Sequence, residues 1–280
     1  MPIIVLIEPW RGHPLAWIHR LEARAIIREL RELGHSVQVR TFHHGAVAAA
    51  HDESLLLRLS DPVLLDAVRT LARTGKPYFG PGAKAMERCY DKYEAWCVAA
   101  RKGVTVPATA LARNAGAMPF PLIVKPRCGS DSIGLRVVRA GPIPTHLRTD
   151  RFIAQEFVRG SELTVGVLHG HIGMPTRILL PEGTPFRFWR KYLWPPRREP
   201  VRDMELVARV RDAAQQIALA LGVDWAARID FIHETATDRL CFLECDVAPL
   251  VGPASAFAAS LAASGMDRHE QLRELLGPAN

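Results

Sequence analysis

The chain has 280 residues, 48% of them hydrophobic and 23% charged, which are ordinary values for a globular protein with room for one large core or two to three subdomains. No apolar run approaches the ~20 residues that a membrane span needs. The formal net charge of +7 suits an anionic ligand or a solvated Arg-rich surface; the cations form no single basic stripe, which argues against nucleic acid, and five Cys with no CxxC pair and no Cys/His ligand spacing read as reduced thiols rather than a zinc site.

In chain order, Met1 to Trp10 lacks a basic n-region and a small-residue cleavage site, so it reads as a buried first strand over residues 3–7 of a cytoplasmic protein. A helix is predicted over 14–33, with Leu15, Ile18, Leu21, Ala25, Ile26 and Leu30 at apolar spacing and Gly34 as its stop. Val37 to Phe42 is the next strand, and this strand–helix–strand opening predicts an α/β subdomain with parallel pairing. A helix over 62–73, a short strand and turn over 76–82, and one continuous helix over 83–101 follow. Residues 120–138 read as strand, Gly/Ser loop and returning strand; 151–158 and 159–168 are two further strands. Residues 181–200 carry Pro181, Pro185, Pro195, Pro196 and Pro200, so neither helix nor strand is expected there. Their aromatic and basic content argues for a functional loop. A helix over 203–221, strands over 226–232 and 240–246, and a helical tail broken at Gly265 complete the chain.

Lys125 ends an apolar strand just before the Gly/Ser loop, where exposed backbone N–H groups and one point charge suit a polyphosphate. In the strand over 226–232, Arg228 and Asp230 are two apart and share a face; in the strand over 240–246, Glu244 and Asp246 do the same. Two neighbouring strands can thus present three carboxylates and a guanidinium to one site, a set suited to Mg²⁺ shared with phosphates. The alternative is a sheet edge with its acids in water. Trp10, Arg11 and His13 follow the first strand, at the edge where open α/β sheets gather ligands, and are candidate substrate contacts.

Together these residues resemble the ATP-grasp superfamily, and most of all its D-alanine–D-alanine ligase branch, over about residues 75–270. Tyr90-Asp-Lys92 is similar to that family's DK motif, Val124-Lys-Pro126 to its central strand and phosphate lid, and Gln155-Glu-Phe-Val158 to its adenine hinge. Gly160-Ser-Glu162 resembles its ribose-binding G-x-E, Arg187 to Tyr192 its ω-loop, Arg228-Ile-Asp230 its R-x-D, and Glu244-Cys-Asp246 its E-x-N. The fold implied is α/β with α+β character: an N-terminal substrate subdomain over 1–82, a central ATP-grasp subdomain over 83–165 and a C-terminal one over 166–280, with ATP between the last two.

The activity implied is ATP-dependent ligation of a carboxylate and an amine through an acyl phosphate. Lys92 and Lys125 would hold the phosphates; Gln155, Glu156, Phe157 and Val158 the adenine; Glu162 the ribose. Asp230, Glu244 and Asp246 would bind Mg²⁺, for which Mn²⁺ can substitute. Arg228 would steady the oxyanion, Ser130 or Ser132 close the lid, Lys191 and Tyr192 close from the ω-loop, and Ser255 meet the acceptor's carboxylate. The partners expected are small-molecule carboxylates and amines, with no membrane and no nucleic acid; a homodimer is allowed. Three departures stand out. Glu8 to Pro14 lacks the branch's G-G-x-S-x-E, Asp246 replaces its Asn, and the ω-loop is aromatic and basic, which suggests a larger or more anionic substrate than D-alanine. Two other readings stay open here: a catalytically silent ATP-binding protein, and an RNA-binding protein that stacks bases on residues 186–198.

Overall fold

Among the described residues three sheets form, and each follows from its residue pattern. The computed structural model describes residues 3–9, 16–42, 54–59, 63–129, 133–180 and 197–277. In the first sheet, β1 (Ile4–Glu8), β2 (Val37–Thr41), β3 (Ser54–Leu57) and β4 (Tyr78–Phe79) run parallel in the order β2-β1-β3-β4. The continuous apolar run of β1 is what a central parallel strand requires, because helices cover both of its faces. Leu6 packs with Ala23, Ile26 and Leu30 of α1 (Ala16–Glu32), while Val5 and Ile7 pack with Leu64, Val68 and Leu71 of α2 (Val63–Thr74). The parallel α/β opening is borne out.

The helix expected over 83–101 is two helices, α3 (Ala83–Tyr90) and α4 (Lys92–Arg101). Asp91 is extended between them, at φ −88° and ψ 97°, and its carboxylate accepts from the N–H groups of Tyr93 and Glu94. A capping Asp inside an apolar pattern starts a new helix, which the spacing of the apolar residues does not reveal. The central sheet then orders β5 (Thr109–Leu111), β6 (Leu122–Pro126), β7 (Arg136–Val138) and β8 (Phe152–Glu156) as β5-β8-β6-β7, all antiparallel. It keeps a small core of its own, built on Ala115, Leu122, Val124, Ile143, Leu147 and Ala154.

The third sheet contains β9 (Ser161–Leu168), β10 (His171–Ile172), β11 (Thr176–Ile178), β12 (Arg198–Pro200), β13 (Ala226–Glu234) and β14 (Arg239–Asp246). Its order is β12-β11-β9-β13-β14, with β10 also paired to β9. Between β12 and β13 lies α5 (Met204–Leu221), capped by Asp203 and ended by Gly222 at φ +78°. The chain finishes with α6 (Ala256–Ala263) and α7 (Arg268–Leu275). β12 corrects the expectation that prolines exclude a strand over 181–200: among the described residues Pro200 sits at the sheet's edge, where no further strand needs its missing N–H.

First and third sheets share a continuous core, in which Val5, Ile7, Leu55 and Leu57 join Leu163, Val165 and Phe231. A buried ion pair reinforces that junction. Arg58, just past β3, is 2% exposed and donates to Glu22 Oε2 at 2.6 and 3.2 Å and to the Pro249 carbonyl at 2.8 Å. Glu22 Oε1 accepts from the N–H of Gly252 at 2.9 Å and from that of Val251. Glu22 occupies the buried stripe Ile18, Glu22, Ile26, Leu30 of α1, whereas Leu21, assigned to the core from its spacing, is 63% exposed.

Removing one partner of a buried pair strands the other's charge, so Arg58→Met should lower the unfolding free energy by about 3–5 kcal/mol. Adding Glu22→Gln should recover part of that loss, and urea unfolding of the two variants checks it; a loss within 1 kcal/mol for Arg58→Met would contradict the role given to this pair.

Candidate functional site

The site grows from the ladder between β13 and β14. Its register sets Arg228 opposite Asp246 and Asp230 opposite Glu244, with an irregularity just after Asp230. Along β13 the buried Ala227, Ile229 and Phe231 alternate with Arg228 and Asp230, so the apolar face feeds the core and the charged face opens to the site. Arg228 Nη1 lies 3.0 Å from Asp230 Oδ2, and its Nη2 lies 3.4 Å from Asp246 Oδ2. The side chains of Arg228 and Asp230 are 15% and 14% exposed, so each charge needs the other. Thr164 of β9 donates to Asp230 Oδ1 at 2.7 Å, and Asp246 Oδ1 accepts from the Ala248 N–H at 3.0 Å.

Lys92 joins these acids to the Lys125 hairpin. Its Nζ lies 3.8 Å from Glu244 Oε2 and donates to the Gly129 carbonyl in the loop after β6. Its backbone N–H donates to the Arg127 carbonyl at 2.9 Å, and Arg127 Nη2 reaches Asp91 Oδ2 at 2.6 Å. Burial alone would raise the pKa of Asp91, but hydrogen bonds from Arg127 and from the N–H groups of Glu94 and Tyr93 outweigh it and hold the carboxyl below its ordinary value. Lys125, half-buried, alternates with Leu122 and Val124 of β6, both fully buried, and so lies on the face away from the central sheet's core.

The hinge residues divide their work. Gln155 is 4% exposed and its Nε2 donates to Thr109 Oγ1 at 3.0 Å. Glu156 pairs with Arg239 of β14 at 2.5 Å and accepts from the Ala108 N–H at 3.1 Å. The Arg239 hydrogen bond holds the Glu156 carboxyl below its ordinary pKa, against burial that would raise it. The Phe157 N–H donates to the Pro121 carbonyl at 3.2 Å. Val158 packs with Ile232, Cys241 and Leu243, and Glu162 sits in β9 between Ile232 and Ile178.

Beside Arg228 lies a cavity of about 420 Å³. Lys92, Glu244 and Asp246 border it with Ser255, while Trp17 and Leu21 line it from α1. Ser255 caps α6, its Oγ accepting from the Ala258 N–H at 3.0 Å. Ser130, Ser132, Lys191, Tyr192, Trp10, Arg11 and His13 lie outside the described residues.

The family model "D-ala D-ala ligase C-terminus" matches residues 94–277. A D-alanine–D-alanine ligase of Gluconobacter oxydans is 30% identical over 275 residues, covering 89% of this chain and 90% of its own length. The chain belongs to the D-alanine–D-alanine ligase family. Another ligase of that name, from Syntrophotalea carbinolica, is 29% identical over 220 residues, covering 73% of this chain and 70% of its own. The crystal structure of the D-alanine–D-alanine ligase of Bacillus anthracis superposes at a TM-score of 0.83 and 18% identity, covering 99% of this chain and 97% of that one. The same enzyme complexed with ATP gives 0.82, again at 18% identity, over 99% and 96% of the two chains. The ATP-grasp fold expected from the sequence is therefore the observed one. As a family member the chain is an ATP-grasp ligase that forms C–N bonds, and the silent and RNA-binding alternatives find no support.

The motifs missed several neighbours of this ligase's site. Thr164, Arg127 and Arg239 are polar residues whose partners lie on other elements, and nothing local marks them. Glu22 did leave a signal: a lone acid at a stripe position of an amphipathic helix.

Both depressed carboxyls act in one direction. Their stabilisation is present above the ordinary carboxylate pKa and is lost as pH falls through the lower folded value. The urea midpoint should therefore drop below about pH 4, and Glu156→Gln should flatten that drop; an unchanged profile in the variant would remove Glu156 from the explanation.

Proposed function

We propose that this ligase binds ATP in the cleft between the Lys125 hairpin and the β13–β14 ladder and joins a free carboxylate to an amine there, with subdomain boundaries near residues 82 and 165. The observation that supports it most is the chain of contacts from Gly129 through Lys92 to Glu244, which ties a phosphate-type loop to an acidic ladder. Lys92 and Lys125 hold the phosphates, and Glu162 the ribose hydroxyls. Gln155 and Glu156 are committed to Thr109 and Arg239, so the hinge meets adenine mainly through backbone groups and through the apolar surface at Phe157 and Val158. Ser130 or Ser132, Lys191 and Tyr192 keep the covering roles given to them above.

The acids suit a magnesium ion. Asp230 and Glu244 face each other across the ladder with Asp246 beside them, all hard oxygen donors. Among the described residues no three such groups converge closely enough to hold a metal by themselves. The fit is therefore to an ion that takes its remaining ligands from phosphate oxygens. When bound by Asp230, Glu244 and Asp246, Mg²⁺ supplies neutralisation of the phosphate charge.

The residues supply position and charge. Phosphorylation of the carboxylate gives an acyl phosphate, the amine attacks its carbonyl carbon, and phosphate departs. Arg228, held by Asp230 and Asp246, points a fixed guanidinium at the oxygen that becomes negative in that attack. Ser255 lies at the cavity's edge, where its hydroxyl can donate to the amine partner's carboxylate. Five free cysteines suit a reducing compartment such as the cytoplasm.

Release of phosphate from ATP should require both a carboxylate and an amine, and product mass should show the amide. Arg228→Met should lower kcat by on the order of 100-fold or more while ATP still binds. Full turnover by that variant at saturating ATP would take the oxyanion role away from Arg228.

A further inference from the structure

Two walls of the cavity beside Arg228 have no part in the chemistry just described. One belongs to α1. Trp17 and Leu21 are one helical turn apart, line the cavity, and are 50% and 63% exposed. Large apolar side chains ordinarily gain by burial, and here they stand open beside the reacting groups. Glu22, bonded to the N–H groups of Val251 and Gly252, brings this helix against the segment that contributes Leu250, Ala254, Ser255 and Phe257 to the same cavity.

The second wall is Arg198 of β12. Arg198 borders the cavity with Arg228, and its Nη1 makes a long 3.4 Å hydrogen bond to the Ala254 carbonyl. Arg228 is balanced by Asp230 and Asp246, whereas among the described residues no carboxylate pairs with Arg198. Burial, and then the neighbouring Arg228, lower its pKa. A partly desolvated guanidinium beside a second one is a fork for an incoming carboxylate. The cavity, about 420 Å³, also reaches Lys92 and Glu244 and so is shared by both partners, with room for side chains beyond two alanines.

We propose that the amine partner is an amino acid with a bulky apolar side chain, seated on Trp17 and Leu21, whose free carboxylate is held by Arg198. In this assignment the carboxylate at Arg198 is a spectator: the carboxyl that reacts becomes the acyl phosphate and then the amide, while the amine partner's own carboxylate stays anionic throughout. This inference rests on the ligase reading and adds the substrate class to it.

The test is steady-state phosphate release by the full chain with ATP and Mg²⁺. Alanine, leucine, methionine and phenylalanine, each enantiomer, are offered alone and with alanine as the carboxylate partner, and each amine partner is also offered as its carboxamide. Each extra buried methylene is worth about fourfold in binding, so kcat/KM for the bulky amine partners should exceed that for alanine by on the order of 50-fold. Trp17→Ala should cut that ratio at least fivefold. Arg198→Met should raise KM for the free acid about tenfold and leave KM for the carboxamide where the parent enzyme has it. Preference for alanine, or an equal KM rise for acid and carboxamide, would overturn the inference with the ligase intact. Absence of stimulated phosphate release with every pair would overturn this inference, and the same assay over a wider set of carboxylates and amines then decides the ligase reading separately.

Discussion

A slip of β14 by one residue against β13 would turn Glu244 and Asp246 away from Arg228 and Asp230 and press them into the core. The observed register does the reverse. It sets a guanidinium between two carboxylates and places a third carboxylate within reach of Lys92. Apolar neighbours fix that register: Ile229, Phe231, Phe242 and Cys245 are all buried, so the core they enter decides which face the charges take. Thr164 from β9 and the Ala248 N–H then hold Asp230 and Asp246 in place. The chemistry proposed for the site follows from this one alignment.

Around the ladder the molecule is unevenly knit. The first and third sheets share a single core and the buried Glu22–Arg58 pair. The central sheet has its own small core and is tied to the rest mainly through part-exposed contacts, Glu156 with Arg239, Asp91 with Arg127, and Lys92 with the Gly129 carbonyl, and through one small apolar cluster at Val158. Surface-type pairs of this kind contribute little each. Their number gives orientation without rigidity, as the nucleotide-covering role proposed for this sheet requires.

Much of this was legible in the sequence. Alternation along residues 226–232 and 240–246 put Arg228 with Asp230 and Glu244 with Asp246 on common faces, and motif order pointed to the ATP-grasp fold. What escaped was long-range pairing. Asp91 reads as one more residue in a helical pattern until its cap geometry is seen. Leu21 fits the apolar spacing of α1 as well as Ile26 does, yet one faces the cavity and the other the core. Arg198 lay in a proline-rich stretch whose edge strand only pairing with β11 could define. Spacing reports the face of an element and stays silent on what stands opposite it.

The Glu22–Arg58 pair carries a consequence for traffic through the molecule. Prising α1 from the turn at Pro249–Gly252 would leave two ionised groups stranded in a dry interior, at several kcal/mol. Lifting the central sheet breaks part-exposed pairs and one small buried cluster at Val158, Ile232 and Cys241, a lesser cost. Breathing should therefore part the protein along the central sheet first, and the cavity wall that α1 supplies stays a fixed vestibule whose width is decided when the chain folds.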